Sequence, residues 1–141
     1  MLMWTYSHTI VTHDVTPTQL WKLFSDVNNW HTWDGGLEFA RLEGQFEKGN
    51  YFTLRPKGGP TVKVYLLETQ PDTHFLDVTR FPLARMYDSH TFTTTPEGLR
   101  ITNTITVKGP LGFLWRKLVA QKIADSMPSD MALQIQAASV L

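Results

Sequence analysis

The chain has 141 residues, 42% of them hydrophobic and 18% charged, with five Trp and eight Phe. That composition excludes a disordered chain, and the length fits one domain spanning 1–141. Thirteen Lys and Arg offset thirteen Asp and Glu, so the basic excess of a nucleic-acid binder is missing.

Surface scaling gives a folded area of about 7,400 Å² against about 23,000 Å² for the open chain, enough burial for a core and an internal cavity. The absence of Cys removes disulfides, thiolate zinc sites, iron–sulfur clusters and Cys nucleophiles together. His8, His13, His31, His74 and His90 are never three or four residues apart, as a helical metal site requires. The expectation is therefore no metal and no cofactor. Met1-Leu2-Met3-Trp4-Thr5-Tyr6 lacks a basic n-region and an apolar h-region, and no run nears the roughly 18 apolar residues of a membrane span. A cytoplasmic protein without stable membrane insertion is expected.

In chain order, Met3 to His13 is rich in Thr, Ile, Val and aromatics. Trp4, Tyr6, His8 and Ile10 fall on one face, which predicts a strand. Thr16-Pro17-Thr18-Gln19 then supplies an N-cap, a Pro at the first helical position and a capping-box partner. Leu20, Trp21, Leu23, Phe24 and Val27 form the apolar face of the short helix that follows. Trp30 to Asp34 predicts a second short helix or turn, closed by Gly35-Gly36.

From Leu37 to Lys108, turn signals recur every 8–16 residues or so, a spacing of antiparallel hairpins rather than crossover helices. Six strands fit, near 37–43, 50–56, 61–69, 74–80, 85–94 and 99–108. Gly109-Pro110 then opens a helix over roughly 111–138. Its apolar row is Leu111, Trp115, Val119, Ile123, Met127, Met131 and Ile135. Such a four-residue row drifts around the helix, so a curved sheet is the partner that covers it. Pro128 predicts a kink or restart near 126–128. The fold expected is α+β: a seven-stranded antiparallel sheet wrapped around the C-terminal helix, with two short helices after the first strand.

Thr16-Pro-Thr-Gln-Leu-Trp21, Asp26 to Asp34, and Gly98 to Pro110 with the helix beyond carry a resemblance. The sequence resembles the polyketide cyclase/dehydrase and lipid-transport family (SRPBCC), within the START and birch-pollen-allergen-like superfamily. The resemblance implies the helix-grip fold with a deep hydrophobic cavity between sheet and helix. Members bind lipids, sterols, polyketides or plant hormones, and a minority catalyse cyclisation or dehydration. They share no universal catalytic residue, so none is carried over.

Candidate site residues come from strand alternation. Leu99, Ile101, Ile105 and Val107 share a face that also holds the polar Asn103. On the preceding strand Met86, Asp88, His90 and Phe92 share a face. A hairpin loop over 95–98 sets Thr94 opposite Leu99, which pairs Phe92 with Ile101, His90 with Asn103, Asp88 with Ile105 and Met86 with Val107. A one-residue slip would put the apolar sets on opposite faces. Asp88, His90 and Asn103 therefore meet on the concave face. They are a self-satisfied hydrogen-bond group, a polar floor that orients a ligand, or an acid–base pair with Asp88 orienting His90. The resemblance implies that Trp30 and Trp33, on the second short helix, sit near the cavity mouth, and the apolar row of the C-terminal helix turns Trp115, Val119 and Ile123 to the sheet. The function expected is binding of a hydrophobic small molecule, such as a lipid or polyketide. The alternative is a cyclase or dehydratase in which His90 and Asp88 move protons.

Overall fold

The computed structural model describes residues 3–141. Strand β1 (Met3–Thr12) leads into helix α1 (Pro17–Ser25) and a 3-10 helix (Val27–Thr32). Six strands follow: β2 (Leu37–Leu42), β3 (Tyr51–Pro56), β4 (Val62–Gln70), β5 (His74–Phe81), β6 (Ala84–Thr95) and β7 (Gly98–Lys108). They form one antiparallel sheet in the order β1-β7-β6-β5-β4-β3-β2. Successive strands from β2 to β7 are neighbours, and β1 joins the far side of β7. The C-terminal helix comprises α2 (Gly112–Trp115), a π-helical stretch (Arg116–Ala120) and α3 (Gln121–Ala138). This is the helix-grip arrangement.

Local chemistry explains the starts and stops. The Gln19 amide donates to the Thr16 hydroxyl at 3.1 Å, and the Thr16 amide donates to Gln19 Oε1 at 2.9 Å. These reciprocal bonds satisfy two amides that a helix start would otherwise leave open. The second helix is displaced from its expected position. It begins at Val27 rather than Trp30, and Trp33 is its C-cap. Val27 is wholly buried, and Asn28 exchanges two hydrogen bonds with the Leu42 backbone. A buried anchor and a tie to β2 thus set the helix start.

The β6–β7 register is the one alternation demands: Phe92 opposite Ile101, His90 opposite Asn103, Asp88 opposite Ile105 and Met86 opposite Val107. The ladder runs one pair further than expected, to Thr95 opposite Gly98, leaving Pro96-Glu97 as the turn. Leu99, Ile101, Asn103, Ile105 and Val107 are buried while their alternates reach solvent to varying degrees.

The C-terminal helix does not restart at Pro128, and it carries an irregularity of another kind. α3 runs through Pro128, and the change of helical pitch lies upstream at Arg116–Ala120. Proline removes one amide donor. Within the same stretch the Ser129 hydroxyl donates to the Ser126 carbonyl at 2.9 Å, and the Ser126 hydroxyl donates to Asp130 at 2.8 Å. The π-helical stretch re-phases the apolar row. Ala120, Ala124, Met127, Met131, Ile135 and Ala138 are buried in the core, whereas Trp115, Val119 and Ile123 are only half-buried. The distal part of the helix fills the concavity. The proximal part spans a space.

Candidate functional site

That space is a cavity of about 410 Å³ between the sheet and the C-terminal helix, within the range of small-molecule sites. Val64 of β4, Phe75 of β5, Met86 of β6 and Phe24 of α1 contribute apolar wall, as do Trp115, Val119 and Ile123. The polar lining comes mainly from neighbouring strands: Asp77 and Thr79 of β5, and Asp88 and His90 of β6, with Asp34 and Gln134 elsewhere on the wall.

Of the residues singled out from sequence, Trp30, Trp33, Met86, Asp88, His90, Trp115, Val119 and Ile123 meet around this one space. Asn103 is buried but lies outside the lining. It sits between His8 on β1 and His90 on β6, one strand further from the cavity.

Each aromatic is held for a reason. Trp30 donates from Nε1 to the Phe24 carbonyl at 3.1 Å and meets Phe52 edge-on at 5.0 Å. Its ring lies 6.4 Å from that of Trp33. Trp115 stacks on Phe81 at 4.5 Å, and its Nε1 donates to the Pro82 carbonyl at 2.9 Å. Phe81 and Trp115 thus close one end as a pair. Because Trp115 is half-buried and borders existing empty space, Trp115→Ala is expected to cost about 1–2 kcal/mol, less than the truncation of a packed core Trp. Urea unfolding with an unchanged slope reads the loss; a shift equivalent to about 3 kcal/mol or more would mean that Trp115 carries core packing.

The polar floor carries carboxyl groups and no Lys or Arg. His90 is clamped between Phe75, stacked at 4.3 Å, and Phe24 at 5.1 Å. Its Nε2 lies 3.3 Å from Asp88 Oδ2. The register sets His90 opposite Asn103, yet His90 Nδ1 and Asn103 Oδ1 are both buried without a hydrogen-bond partner. The two do not satisfy each other.

Asp77 is the functional candidate that sequence reasoning missed. It is only 6% exposed and pairs directly with Asp88 across β5 and β6. Burial, and secondarily the facing Asp88 carboxylate, push its pKa well above the ordinary carboxylate range. A signal for it existed: Phe75, Asp77, Thr79 and Phe81 share one parity, so two Phe bracket a buried carboxyl. The atoms that Asp77, Asp88 and His90 would offer to a cation all lie within 4.8 Å of one another.

Among the described residues no helix is long and apolar enough to cross a membrane. A family model described as polyketide cyclase/dehydrase and lipid transport matches residues 3–130. No curated protein sequence matches the chain. Among solved structures, the Zhui aromatase/cyclase from Streptomyces sp. R1128 is similar with TM-score 0.77 and 11% identity, over 97% of this chain and 94% of that one. Protein MLL2253 from Mesorhizobium loti is similar with TM-score 0.72 and 16% identity, over 95% of this chain and 96% of that one. Norcoclaurine synthase from Thalictrum flavum, in complex with dopamine and hydroxybenzaldehyde, gives TM-score 0.71 and 13% identity over 98% and 85% of the two chains. Identities this low speak for the fold alone. The matched span of 3–130 covers most of the sequence, and the chain belongs to the polyketide cyclase/dehydrase and lipid-transport family.

Proposed function

We propose that this protein binds a hydrophobic small molecule, a lipid, polyketide or similar, in the cavity between the sheet and the C-terminal helix. The observation that carries this reading is the half-filled concavity. Half-buried Trp115, Val119 and Ile123 border about 410 Å³ of space between the helix and the strands, with Trp115 stacked on Phe81 at one end. Leaving large apolar side chains around a void forfeits dispersion contacts, and a ligand of matching shape restores them. The family match is consistent with such a role. Trp30, Trp33, Met86, Trp115, Val119 and Ile123 supply apolar contact, while Asp88 and His90 orient a polar group.

Native mass spectrometry of freshly purified protein is expected to find an apolar molecule that co-purifies. Val119→Trp fills the cavity from the helix side. It is expected to weaken binding of a fluorescent apolar probe at least about tenfold while changing stability by under about 1.5 kcal/mol, because added bulk enters space already empty. Unchanged probe affinity would move the binding site elsewhere.

A second reading rests on the 3.3 Å approach of His90 to Asp88. In it the protein is a cyclase or dehydratase in which His90 takes and returns a proton, with Asp88 holding the ring in position. Turnover of a polyketide-like substrate that follows a histidine titration, and is lost in His90→Phe with affinity retained, would favour it over simple carriage.

A further inference from the structure

Resting on the cavity-binding reading, we infer that the cavity selects ligands carrying a cationic amine on an apolar body, with the ammonium group seated between Asp77 and Asp88. The cavity lining includes three carboxylic acids, Asp34, Asp77 and Asp88, and no Lys or Arg. Arg80, Arg85 and Lys108 instead line a separate open groove that shares Phe81 with the cavity. Arg80 lies over the Tyr65 ring at 4.7 Å, and Lys108 lies over that of Tyr87 at 5.2 Å.

What the floor lacks is a permanent positive charge. Asp77 is buried, borders the cavity and faces a second carboxyl across the ladder. His90 Nε2 lies 3.3 Å from Asp88 Oδ2, beside the carboxyl pair. An ammonium group is the complement of this set, with donors only and no acceptor. Aromatic rings on the same wall present electron-rich faces that also favour a cation. A carboxylate ligand would bring a further negative charge to a low-dielectric site and is selected against.

The empty floor has a protonation consequence. Two facing carboxyl groups in an apolar cavity do not both ionise readily, so one holds a proton until a cation arrives. The charged and titratable groups facing Asp77 are Asp88 and His90 from β6, with Asp34 further along the wall. From the C-terminal helix Trp115, Val119, Ile123 and Gln134 bring no charge. Binding an ammonium group therefore expels a proton from the carboxyl pair, and affinity for the amine rises with pH.

The test is a matched ligand series on the intact protein: phenylhexylamine, phenylhexanol and phenylhexanoate, titrated by tryptophan fluorescence and calorimetry at neutral pH. The amine is expected to bind at least about tenfold tighter than the alcohol, because it forms a charge-assisted hydrogen bond. The carboxylate is expected to bind at least about tenfold weaker, because it meets like charge. Asp77→Asn and Asp88→Asn should each lower the ratio of amine to alcohol affinity by at least about tenfold, whatever either substitution does to binding in general, since only the amine needs a counter-charge. Calorimetry in two buffers of different ionisation enthalpy should show proton release on binding the amine and none on binding the alcohol. If the alcohol binds as tightly as the amine, the charge preference is overturned while the cavity reading stands. Tightest binding by the carboxylate, or an undiminished amine advantage in both Asn variants, would also overturn it. If none of the three binds, the cavity reading falls and the amine inference with it.

Discussion

Gly109→Ala is expected to be among the most damaging single substitutions in this fold, lowering stability by about 3 kcal/mol or more. Gly109 has φ 122°, a backbone conformation open to glycine and costly for other residues by about 1–3 kcal/mol. A Cβ there would also lie 2.6 Å from the Leu83 carbonyl oxygen and 2.9 Å from the Ala84 Cα. Both are backbone atoms, so no side chain can swing aside. The same carbonyl accepts a hydrogen bond from the Leu111 amide at 3.0 Å. Gly109 thus clasps the β5–β6 turn to the start of the C-terminal helix, next to the Phe81–Trp115 pair that closes the cavity.

Gly58 is the control: its φ of 76° is also left-handed, but a Cβ at that position would meet nothing within 4 Å. Gly58→Ala should cost only about 1 kcal/mol, the conformational part alone. Urea midpoints of the two variants against the parent decide the matter. Equal small losses would show that the clasp yields easily and that the close approach has no energetic weight.

The sheet could be read from the sequence because alternation and turn chemistry agree with each other. In β7 the apolar parity of Leu99, Ile101, Ile105 and Val107 leaves one orientation toward the core. The Thr95–Gly98 hairpin then fixes which residue of β6 faces which residue of β7. A wrong register would have exposed Phe92 or buried Arg100, so the hydrophobic effect selects it. The convergence of Met86, Asp88 and His90 on one face follows from that register.

What escaped the sequence depends on packing between distant segments. The start of the 3-10 helix at Val27 depends on its burial against the core and on Asn28 reaching Leu42. No local propensity encodes that tie. Pro128 lies inside a continuous α3, and a π-helical stretch that no sequence signal marked lies at 116–120. The helix there must leave the core to span the cavity, and the extra residue in its turn lets the apolar row change direction. Asn103 has the right parity but the wrong strand. The cavity lies over β2 to β6 rather than β7, a consequence of sheet curvature that alternation cannot express. Asp77 was hidden by a shorter pattern, since β5 buries Val78 as well as Asp77 and Thr79 and so alternates less cleanly than β7.

Asp77 also carries the second large expectation. Asp77→Asn should stabilise the ligand-free protein by about 1–3 kcal/mol at neutral pH, the range for relieving a buried polar group of an unmet demand. The gain should grow with pH. Burial first, and the Asp88 carboxylate second, raise the folded-state pKa of Asp77, so the folded protein holds a proton there that the unfolded chain has released. Stability from this group is then fully present below the ordinary carboxylate range and is lost as pH rises through the raised value. Asn cannot ionise, so the variant escapes that loss. At acid pH both proteins present a neutral side chain of nearly the same shape, and their stabilities should converge. Other carboxylates titrate in parent and variant alike, so the difference between the two curves isolates Asp77 and its meeting with Asp88. Denaturant unfolding of both proteins across the pH range measures the difference directly. A gap that stays constant with pH, or a parent more stable than the variant at neutral pH, would mean that Asp77 is ionised and held by a partner, and the floor of the cavity would then have no unmet need for a cation.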